Sequence, residues 1–377
     1  MTITTRAAVL RSPGAVLPYA DSRPLTIETV SLDPPGPGEV LVRIAAAGLC
    51  HSDLSVINGD RPRPLPMALG HEAAGVVEQL GADVADLAVG DHVVMVFMPS
   101  CGHCHPCAEG RPALCEPGAV ANSKGELLAG GRRIHDGHGD LNHHLGCSAF
   151  ADRAVVSRRS LVKVDPDLPL DEAALFGCAV LTGVGAVVNT AGVRAGQSVA
   201  VVGLGGVGLA SVLGALASGA SPVVAVDLSE DKLALARTLG PVETVNASHP
   251  DAVDQVRALT SGGADFVFEM AGSVRALDAA WRMTRRGGTT VTAGLPPADA
   301  TLAVNVVSLV GEERTLKGSY IGTCVPSRDI PRYVALYRQG RLPVDRLMSG
   351  SIPLDQINAG FDRLQAGTVV RQIITFA

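Results

Sequence analysis

One glycine-rich segment restricts the fold of this chain more than any other feature of its sequence. Within SVAVVGLGGVG, an apolar run typical of a strand leads into Gly203, Gly205 and Gly208, spaced as G-x-G-x-x-G, and an apolar helix pattern follows. Asp227 ends the next predicted strand, PVVAVD. This order of strand, glycine turn, helix, strand and acid predicts a parallel sheet that binds a dinucleotide.

Each of these residues has its own expected role in binding that cofactor. Gly203 permits the tight turn, Gly205 lets the backbone approach a pyrophosphate, and Gly208 lets the helix pack closely on the strand. The phosphates would lie over the positive end of the helix, and Asp227 would accept hydrogen bonds from the adenosine ribose. Because Asp227 would repel a 2′-phosphate and Leu228 offers no compensating cation, NAD is predicted rather than NADP. The alternative is a glycine turn that serves only packing.

The chain divides into two regions of different character, as its length of 377 residues leads us to expect. Residues 1–180 read as short strands and turns, whereas residues 181–322 alternate strand and helix patterns in the rhythm of a doubly wound parallel sheet. Residues 323–377 are mixed again, and we expect them to return to the first domain. The predicted fold class is α/β, with a β-rich domain beside a nucleotide-binding domain. Residues 116–146 are Gly-rich and polar, which predicts a long surface loop.

Composition and charge argue against some classes of partner. The net charge is −6 and aromatic residues make up 3% of the chain, so neither a basic nucleic-acid surface nor a base-stacking platform is expected. Residues 195–226 carry no charge, but glycines interrupt them, which favours a buried strand, turn and helix over a membrane span. No apolar signal segment is visible near the N terminus, and a cytoplasmic location is expected.

Four cysteines lie close together in CGHCHPCAEGRPALC, namely Cys101, Cys104, Cys107 and Cys115. Their spacing suits thiolate ligands of a tetrahedral zinc ion, and cytoplasmic thiols stay reduced. Because four cysteines leave no open position on the metal, this zinc would be structural. A redox Cys-x-x-Cys pair and a DNA-binding zinc module are the alternatives, and the acidic chain weighs against the second.

A catalytic zinc ion needs a different set, with three protein ligands and one open position. The candidates are Cys50 in GLCHSD, His71 in GHE and Cys178 in FGCAVLTG. A single cysteine is usually a small buried apolar residue, so none of these would stand out alone. Their significance comes from the segments around them.

Several segments occur in a fixed order along the chain: GLCHSD, GHEAAGVV, the four-cysteine cluster, CAVLTGVGAV, VVGLGGVG and GFDRLQAGTVVRQIITF. In this combination the chain resembles the zinc-dependent medium-chain alcohol dehydrogenases over nearly its whole length. The resemblance implies a catalytic domain with a GroES-like fold joined to a Rossmann domain. It also implies two Zn²⁺ per chain, one catalytic and one structural, and reversible hydride transfer between a primary or secondary alcohol and NAD, giving an aldehyde or ketone.

The same resemblance implies roles for individual residues. Cys50, His71 and Cys178 would hold the catalytic zinc, with Asp53 orienting His71 and Glu72 lying beside the metal. A hydroxyl can donate and accept a hydrogen bond at once, which suits Ser52 for passing on the substrate proton. The expected cofactor contacts are His51 and Arg371 at the pyrophosphate, Lys232 near the adenosine ribose and Thr182 near the nicotinamide. The expected pocket residues are Phe97, Arg61 and His144.

Some positions depart from the family pattern. Ser55 stands where relatives often have a relay histidine, so the final proton acceptor stays open between His51 and a water chain. Ala119 stands where glutathione-dependent formaldehyde dehydrogenases carry arginine, which disfavours a thiol adduct as substrate. Ser52 in place of threonine widens the site, and Arg61 and His144 are polar where relatives are often apolar. Medium or bulky alcohols are therefore predicted, including aromatic ones or ones that bear a polar group.

Two other functions compete with an alcohol dehydrogenase. One is a thiol-adduct-dependent formaldehyde dehydrogenase of the same fold, and the other is a non-catalytic protein that binds zinc and a nucleotide. For partners, the long 116–146 stretch resembles the longer-chain branch of the family, which tends toward dimers, and the apolar alternation in ATLAVNVVSLV offers a subunit-contact strand. We expect a homodimer, with a homotetramer as the alternative, and no nucleic-acid or membrane partner.

Overall fold

The computed structural model describes residues 2–376, which form two compact units. The first unit comprises residues 2–178, 325–331 and 348–376, and the second comprises residues 179–324 and 332–347. No single helix in the described part of the chain is long and apolar enough to cross a membrane. Only the helix pair Leu170–Gly177 and Ala179–Ala191, taken together, passes that test of length and composition within residues 2–376.

Strands account for much of both units. In the first unit they are β1 (Ile3–Leu10), β2 (Leu25–Leu32), β3 (Glu39–Gly48), β4 (Met67–Ala68), β5 (Ala73–Leu80), β6 (His92–Met95), β7 (Ile134–Asp136), β8 (Gly139–His143), β9 (Arg153–Ser157) and β10 (Leu161–Val164). The second unit contains β11 (Val199–Val202), β12 (Val223–Asp227), β13 (Val242–Asn246), β14 (Ala264–Glu269), β15 (Thr284–Thr292) and β16 (Thr315–Gly318). The chain ends in the first unit with β17 (Met348–Ile352) and β18 (Arg371–Thr375).

The helices are short in the first unit and longer in the second. They are α1 (Tyr19–Ser22), α2 (His51–Ile57), α3 (His105–Ala108), α4 (Glu116–Lys124), α5 (Leu170–Ala174), α6 (Ala179–Gly185), α7 (Gly206–Ala217), α8 (Glu230–Thr238), α9 (Ala252–Leu259), α10 (Val274–Met283), α11 (Val306–Gly311), α12 (Pro326–Arg338) and α13 (Ile357–Gln365). A π-helical turn, Ala186–Ala191, continues α6. Single 3₁₀ turns cover Pro112–Leu114, Arg158–Ser160, Leu175–Gly177, Ile321–Thr323, Val344–Leu347 and Leu354–Gln356.

The first unit combines a closed barrel with an open sheet. The barrel runs β1-β2-β7-β8-β4, and the open sheet runs β10-β6-β5-β3-β18-β17, with β9 also paired to β3. In the open sheet, β18 is antiparallel to β3 and sets Ile373 opposite Gly48. The C-terminal strand therefore lies next to the end of β3, where the segment GLCHSD begins.

The second unit is one six-stranded sheet whose strands are all parallel, in the order β13-β12-β11-β14-β15-β16. This is the strand order of the Rossmann fold, and it confirms the doubly wound sheet that the sequence predicts. The central strand β11 is nearly all valine and is buried, as expected of a strand covered on both faces. Its core neighbours include Val224, Val226 and Val267.

Three segments differ from expectation. Residues 300–310, whose apolar alternation predicted a subunit-contact strand, contain no strand in the structure, and α11 begins at Val306. Residues 116–146 are not one long loop, because α4 and the β7–β8 hairpin form there and bury Leu127, Ile134 and Leu141 in the barrel core. The sequence assigned residues 1–180 and 323–377 to the first domain, whereas residues 179–180, 323–324 and 332–347 lie in the second unit. Their apolar side chains Leu342 and Leu347 are buried there, since the turn Val344–Leu347 packs against α7.

Candidate active site

Three metal-ligand side chains from distant parts of the chain meet inside the first unit. Cys50 precedes the first residue of α2, His71 follows β4, and Cys178 follows the turn Leu175–Gly177. Their exposed fractions are 6%, 0% and 5%, and their donor atoms all lie within 4.8 Å of one another. The structure thus brings together the three residues that the sequence nominated for a catalytic zinc ion.

Local backbone requirements hold His71 in this position. Gly70, the residue before it, has φ of +97°, and a Cβ there would lie 2.4 Å from the backbone nitrogen of Phe150. Only glycine fits both the left-handed conformation and this close approach. The ring of Phe97 meets the His71 ring edge-on, with centroids 5.3 Å apart.

The donor set fits zinc in chemistry and in geometry. His71 Nε2 lies 3.5 Å from Cys178 Sγ. Zn–S bonds of about 2.3 Å and Zn–N bonds of about 2.0–2.1 Å place such atoms roughly 3.6 Å apart around a tetrahedral ion. Two sulfurs and one nitrogen leave the fourth corner for another ligand, the pattern of a catalytic rather than a structural site.

A buried carboxylate holds the other side of the His71 ring. Asp53, on α2, is 0% exposed, and its Oδ1 lies 3.0 Å from His71 Nδ1 and accepts a hydrogen bond from Gly70 N at 3.3 Å. The imidazole of His144 lies beside the same oxygen, with Nδ1 3.1 Å from Asp53 Oδ1. Asp53 therefore faces two imidazoles at once.

Two further charged residues are buried next to the three donors. Arg371, on β18, donates a hydrogen bond to Leu49 O at 2.8 Å, and its Nη1 lies 3.5 Å from Glu72 Oε2. Burial raises the pKa of Glu72 to about 7, against the lowering effect of Arg371. The hydrogen bond with Cys178 and the charge of Arg371 hold the pKa of Cys50 well below its ordinary value, although burial opposes them. The same hydrogen bond, burial and the negative charges of Cys50 and Glu72 raise the pKa of Cys178, so of the two thiols Cys50 is the one that favours the thiolate, the form that binds metal.

The remaining predicted site residues of this unit take varied positions. His51 and Ser52 lie in the first turn of α2, His51 exposed and Ser52 half-buried, and Arg61 is also half-buried.

His144 is 1% exposed, so it is enclosed beside Asp53 and presents almost no surface to an open cleft. Sequence reasoning missed the His144–Asp53 contact, because no local spacing signals a pairing between residues so far apart. The cofactor contacts of His51 and Arg371 stay predictions.

The four remaining metal-type cysteines form a second cluster around α3. The sulfur atoms of Cys101, Cys104, Cys107 and Cys115 lie within 4.8 Å of one another, and the Cys104 and Cys115 sulfurs are 3.9 Å apart. Thiolates around a tetrahedral zinc ion are about 3.8 Å apart, given Zn–S bonds of about 2.3 Å. Backbone N–H groups of Cys101 and Gly118 point at the Cys115 sulfur, at 3.1 and 3.4 Å. Four sulfurs complete a tetrahedron, so this cluster fits a structural ion.

The nucleotide segment of the second unit has the predicted local geometry. Gly203 has φ of +92°, Gly205 immediately precedes α7, and a Cβ on Gly208 would lie 1.8 Å from Gly203 O. Asp227 ends β12, where its carboxylate accepts hydrogen bonds from Leu204 N at 2.6 Å and Ser229 N at 2.9 Å.

The other predicted cofactor residues lie in the same unit. Lys232 is half-buried on α8, and Thr182 is buried on α6. Their contacts with a cofactor stay predictions.

Comparison with known proteins supplies the family context. Residues 36–166 match the model of the alcohol dehydrogenase GroES-like domain, and residues 206–339 match that of the zinc-binding dehydrogenase domain. A Mycobacterium tuberculosis protein with the provisional name alcohol dehydrogenase D is 40% identical over 369 residues, which cover 97% of this chain and 100% of the relative.

Two solved structures match the full length of both chains. One is an alcohol dehydrogenase zinc-binding domain protein from Burkholderia ambifaria, with a TM-score of 0.94, 37% identity and coverage of 100% of each chain. The other is the benzyl alcohol dehydrogenase from Acinetobacter calcoaceticus, with a TM-score of 0.92, 33% identity and coverage of 100% of each chain. These matches agree with a GroES-like first unit and a Rossmann second unit.

Proposed function

The chain belongs to the zinc-dependent medium-chain alcohol dehydrogenase family, and on that premise we propose that it oxidises alcohols reversibly by transferring hydride to NAD. One observation carries the proposal: Cys50, His71 and Cys178 converge as three buried donors that leave one corner of a tetrahedral ion open. A merely structural zinc would need no open corner.

The protein's own residues divide the work at this centre. Bound zinc supplies Lewis-acid chemistry, which lowers the pKa of an alcohol or polarises a carbonyl. Asp53 accepts a hydrogen bond from the Nδ1–H of His71, which holds the proton on Nδ1 and leaves Nε2 free as a ligand. Ser52 takes the hydroxyl proton of the substrate and passes it outward, to His51 or to water.

The proposal of NAD as cofactor rests on the two residues at the end of β12, Asp227 and Leu228. A 2′-phosphate beside the Asp227 carboxylate would meet a negative charge, and the neighbouring Leu228 side chain, 68% exposed, brings no cation. The Asp227 carboxylate already accepts two backbone N–H groups, so it is held in place rather than free to swing away. An NADP-preferring enzyme is the competing possibility.

The proposed substrates are medium or bulky primary or secondary alcohols, including aromatic ones. The 33% identity to a benzyl alcohol dehydrogenase supports the aromatic class, and Ser52 with Phe97 near His71 is compatible with a wide site. A thiol-adduct-dependent formaldehyde dehydrogenase is the second enzymatic candidate, and Ala119, exposed on α4, offers no cation for an acidic adduct.

A substrate panel tests the reaction. We expect NADH to appear at mildly alkaline pH with benzyl or secondary alcohols, faster than with ethanol and faster than NADPH appears from NADP. Activity that requires added glutathione would support the formaldehyde dehydrogenase instead. Absence of turnover with every alcohol in a chain that holds both zinc ions would favour the non-catalytic alternative.

We also propose a cytoplasmic homodimer. Within residues 2–376 none of the eight cysteines forms a disulfide bond, which suits a reducing compartment. The edge strand β16 is exposed along its whole length, and Val306, Val307 and Val310 on α11 are 69%, 81% and 71% exposed. An open sheet edge with an apolar neighbour favours pairing with a second copy. Light scattering should give twice the chain mass, and a monomer or a tetramer would count against a homodimer.

A further inference from the structure

The contacts of Asp53 extend beyond the zinc-ligand histidine. Its Oδ1 is shared by His71 Nδ1 and Gly70 N, and His144 Nδ1 lies 3.1 Å away. His144 Nδ1 makes no aligned hydrogen bond within the described residues, so its contact with Asp53 Oδ1 is a close electrostatic approach of the ring nitrogen to the carboxylate. The other oxygen, Oδ2, has no hydrogen-bond partner among the described residues.

In this arrangement, each N–H group near the Asp53 carboxylate contributes to stabilising its buried negative charge. Asp53 is 0% exposed, and a buried carboxylate with few donors is costly to keep ionised. If Asp53 were displaced, it would no longer hold the Nδ1–H of His71. The orientation of that ring, and with it the direction of Nε2, therefore depends on what surrounds Asp53.

His144 is held firmly in the position that it needs for this role. It follows β8 directly, and its backbone N–H donates to Ser148 Oγ at 2.9 Å. Its carbonyl accepts from Cys147 N at 3.0 Å and from Ser148 N at 3.2 Å, so a tight turn fixes the backbone. The ring also meets the His71 ring edge-on, with centroids 5.5 Å apart and planes at 90°.

We propose that His144 is a positioning residue of the metal centre: it holds Asp53, and through Asp53 the zinc-binding orientation of His71. The sequence suggested that His144 lines the substrate pocket. In this proposal it instead supports the zinc ligand His71 from behind. The inference rests on the proposed catalytic zinc at Cys50, His71 and Cys178.

Two variants whose new side chains have nearly equal size distinguish the effect of the N–H donor from the effect of side-chain shape. His144→Asn keeps an N–H group close to the place of Nδ1, whereas His144→Leu removes it. The readout is the rate at which the catalytic zinc transfers to a chromogenic chelator, together with the visible absorption spectrum after substitution of that zinc by cobalt. We expect about tenfold faster release and an altered cobalt spectrum in H144L, with release in H144N within about threefold of wild type.

The neighbouring histidine provides a matched control. His143 is equally buried, but its Nε2 accepts a hydrogen bond from Arg133 N at 3.1 Å instead of facing Asp53. His143→Leu should lower the melting temperature without changing the release of the catalytic zinc. This control separates general loosening of the barrel from loss of the Asp53 contact.

The outcomes distinguish this inference from the proposed function. Equal zinc release in wild type and H144L, with altered KM values across alcohols of different size, would overturn the positioning role and return His144 to the pocket. Equally fast release in H144L and H144N would also overturn it, because shape and not the donor would then matter. A wild-type protein that binds no zinc at Cys50, His71 and Cys178 would overturn the proposed function as well.

Discussion

At the scale of single residues, His71 uses its two ring nitrogens for different partners. A carboxylate can only accept hydrogen bonds, so the 3.0 Å contact with Asp53 assigns the proton to Nδ1. Nε2 then carries the lone pair and faces Cys178 Sγ, 3.5 Å away. One buried aspartate thus determines which tautomer a bound metal ion would meet.

A prediction at the residue scale concerns Ser52. We expect Ser52→Ala to lower kcat by about 100-fold or more, because the alcohol proton loses its first acceptor. Zinc content should not change, since Ser52 is not a ligand. Ser52→Thr keeps the hydroxyl and should retain most of the activity in steady-state assays.

Ser55 provides the control for this experiment. Its hydroxyl donates to the backbone oxygen of His51 at 2.8 Å within α2, so Ser55→Ala removes a hydroxyl from the same helix that bonds to backbone and not to the His51 ring of the proposed proton path. We expect kcat near that of wild type. If S52A and S55A behaved alike, Ser52 would have no role in proton transfer.

Residue-scale prediction from the sequence nominated some neighbours in the site and missed others, for physical reasons. Cys50, Ser52 and Asp53 lie in one short segment, so its resemblance to a known family brought them forward together. The contact between Asp53 and His144 arises only when β8 and α2 are brought together by the fold. No spacing in the sequence encodes that meeting.

At the scale of elements, the glycine turn between β11 and α7 contains one glycine that matters for folding stability and another that matters for access of a ligand. A Cβ on Gly205 would meet no atom within 4 Å, and its φ of −72° suits any residue. A Cβ on Gly208 would meet Gly203 O at 1.8 Å. The two glycines therefore serve different purposes, one open to a ligand and one packed against the turn.

This difference predicts opposite phenotypes for two alanine variants. Gly205→Ala should keep the melting temperature but raise the KM for NAD about tenfold, because the new methyl group occupies the approach of the pyrophosphate. Gly208→Ala should lower the melting temperature. Calorimetry and cofactor titration measure both effects, and an unchanged KM in G205A would contradict cofactor binding at this turn.

A histidine bridge ties strands of the barrel together and predicts a pH dependence. His135 lies on β7. Its Nδ1 is 2.9 Å from Oδ1 of Asp140 on β8, and its Nε2 is 2.8 Å from Oδ2 of Asp33, which follows β2. Burial lowers the pKa of His135, but the two carboxylates outweigh it and raise the pKa above its ordinary value. The stabilisation is therefore complete below about pH 6.5, the unfolded pKa, and is lost as pH rises through the folded pKa.

The variant His135→Gln tests this bridge. Its melting temperature should fall below that of wild type by about 1–3 °C at pH 5.5, and the difference should shrink by pH 9. His138→Gln, on the exposed end of the same hairpin, serves as the control and should show no such trend. A pH-independent deficit in H135Q would refute the charged bridge.

Elements were predictable where their signals are local. The parallel sheet follows from apolar strands, the glycine turn and Asp227, all close together in sequence. The segment 116–146 looked like a loop because it is polar and rich in glycine. Its order comes partly from a local cap, in which Cys115 Sγ accepts the Gly118 N–H at the start of α4, and partly from distant partners, because Leu127 and Leu141 reach the barrel core.

At the scale of the whole molecule, the chain brings together two sets of candidate metal ligands by different means. The four cysteines of the 101–115 cluster are neighbours in sequence, so their spacing alone predicted their meeting. Cys50, His71 and Cys178 meet only because the first unit folds, and the family resemblance was needed to nominate them together. The first set has every corner of a tetrahedron filled, and the second has one corner open.

The most direct test of this account is the zinc content of three purified proteins by elemental analysis. We predict two zinc ions per chain in wild type, one in Cys178→Ser, and two in Cys324→Ser, which alters a buried thiol outside both clusters. NADH formation should be lost in C178S alone. One zinc ion in wild type, or two in an active C178S, would contradict an open zinc site built from Cys50, His71 and Cys178.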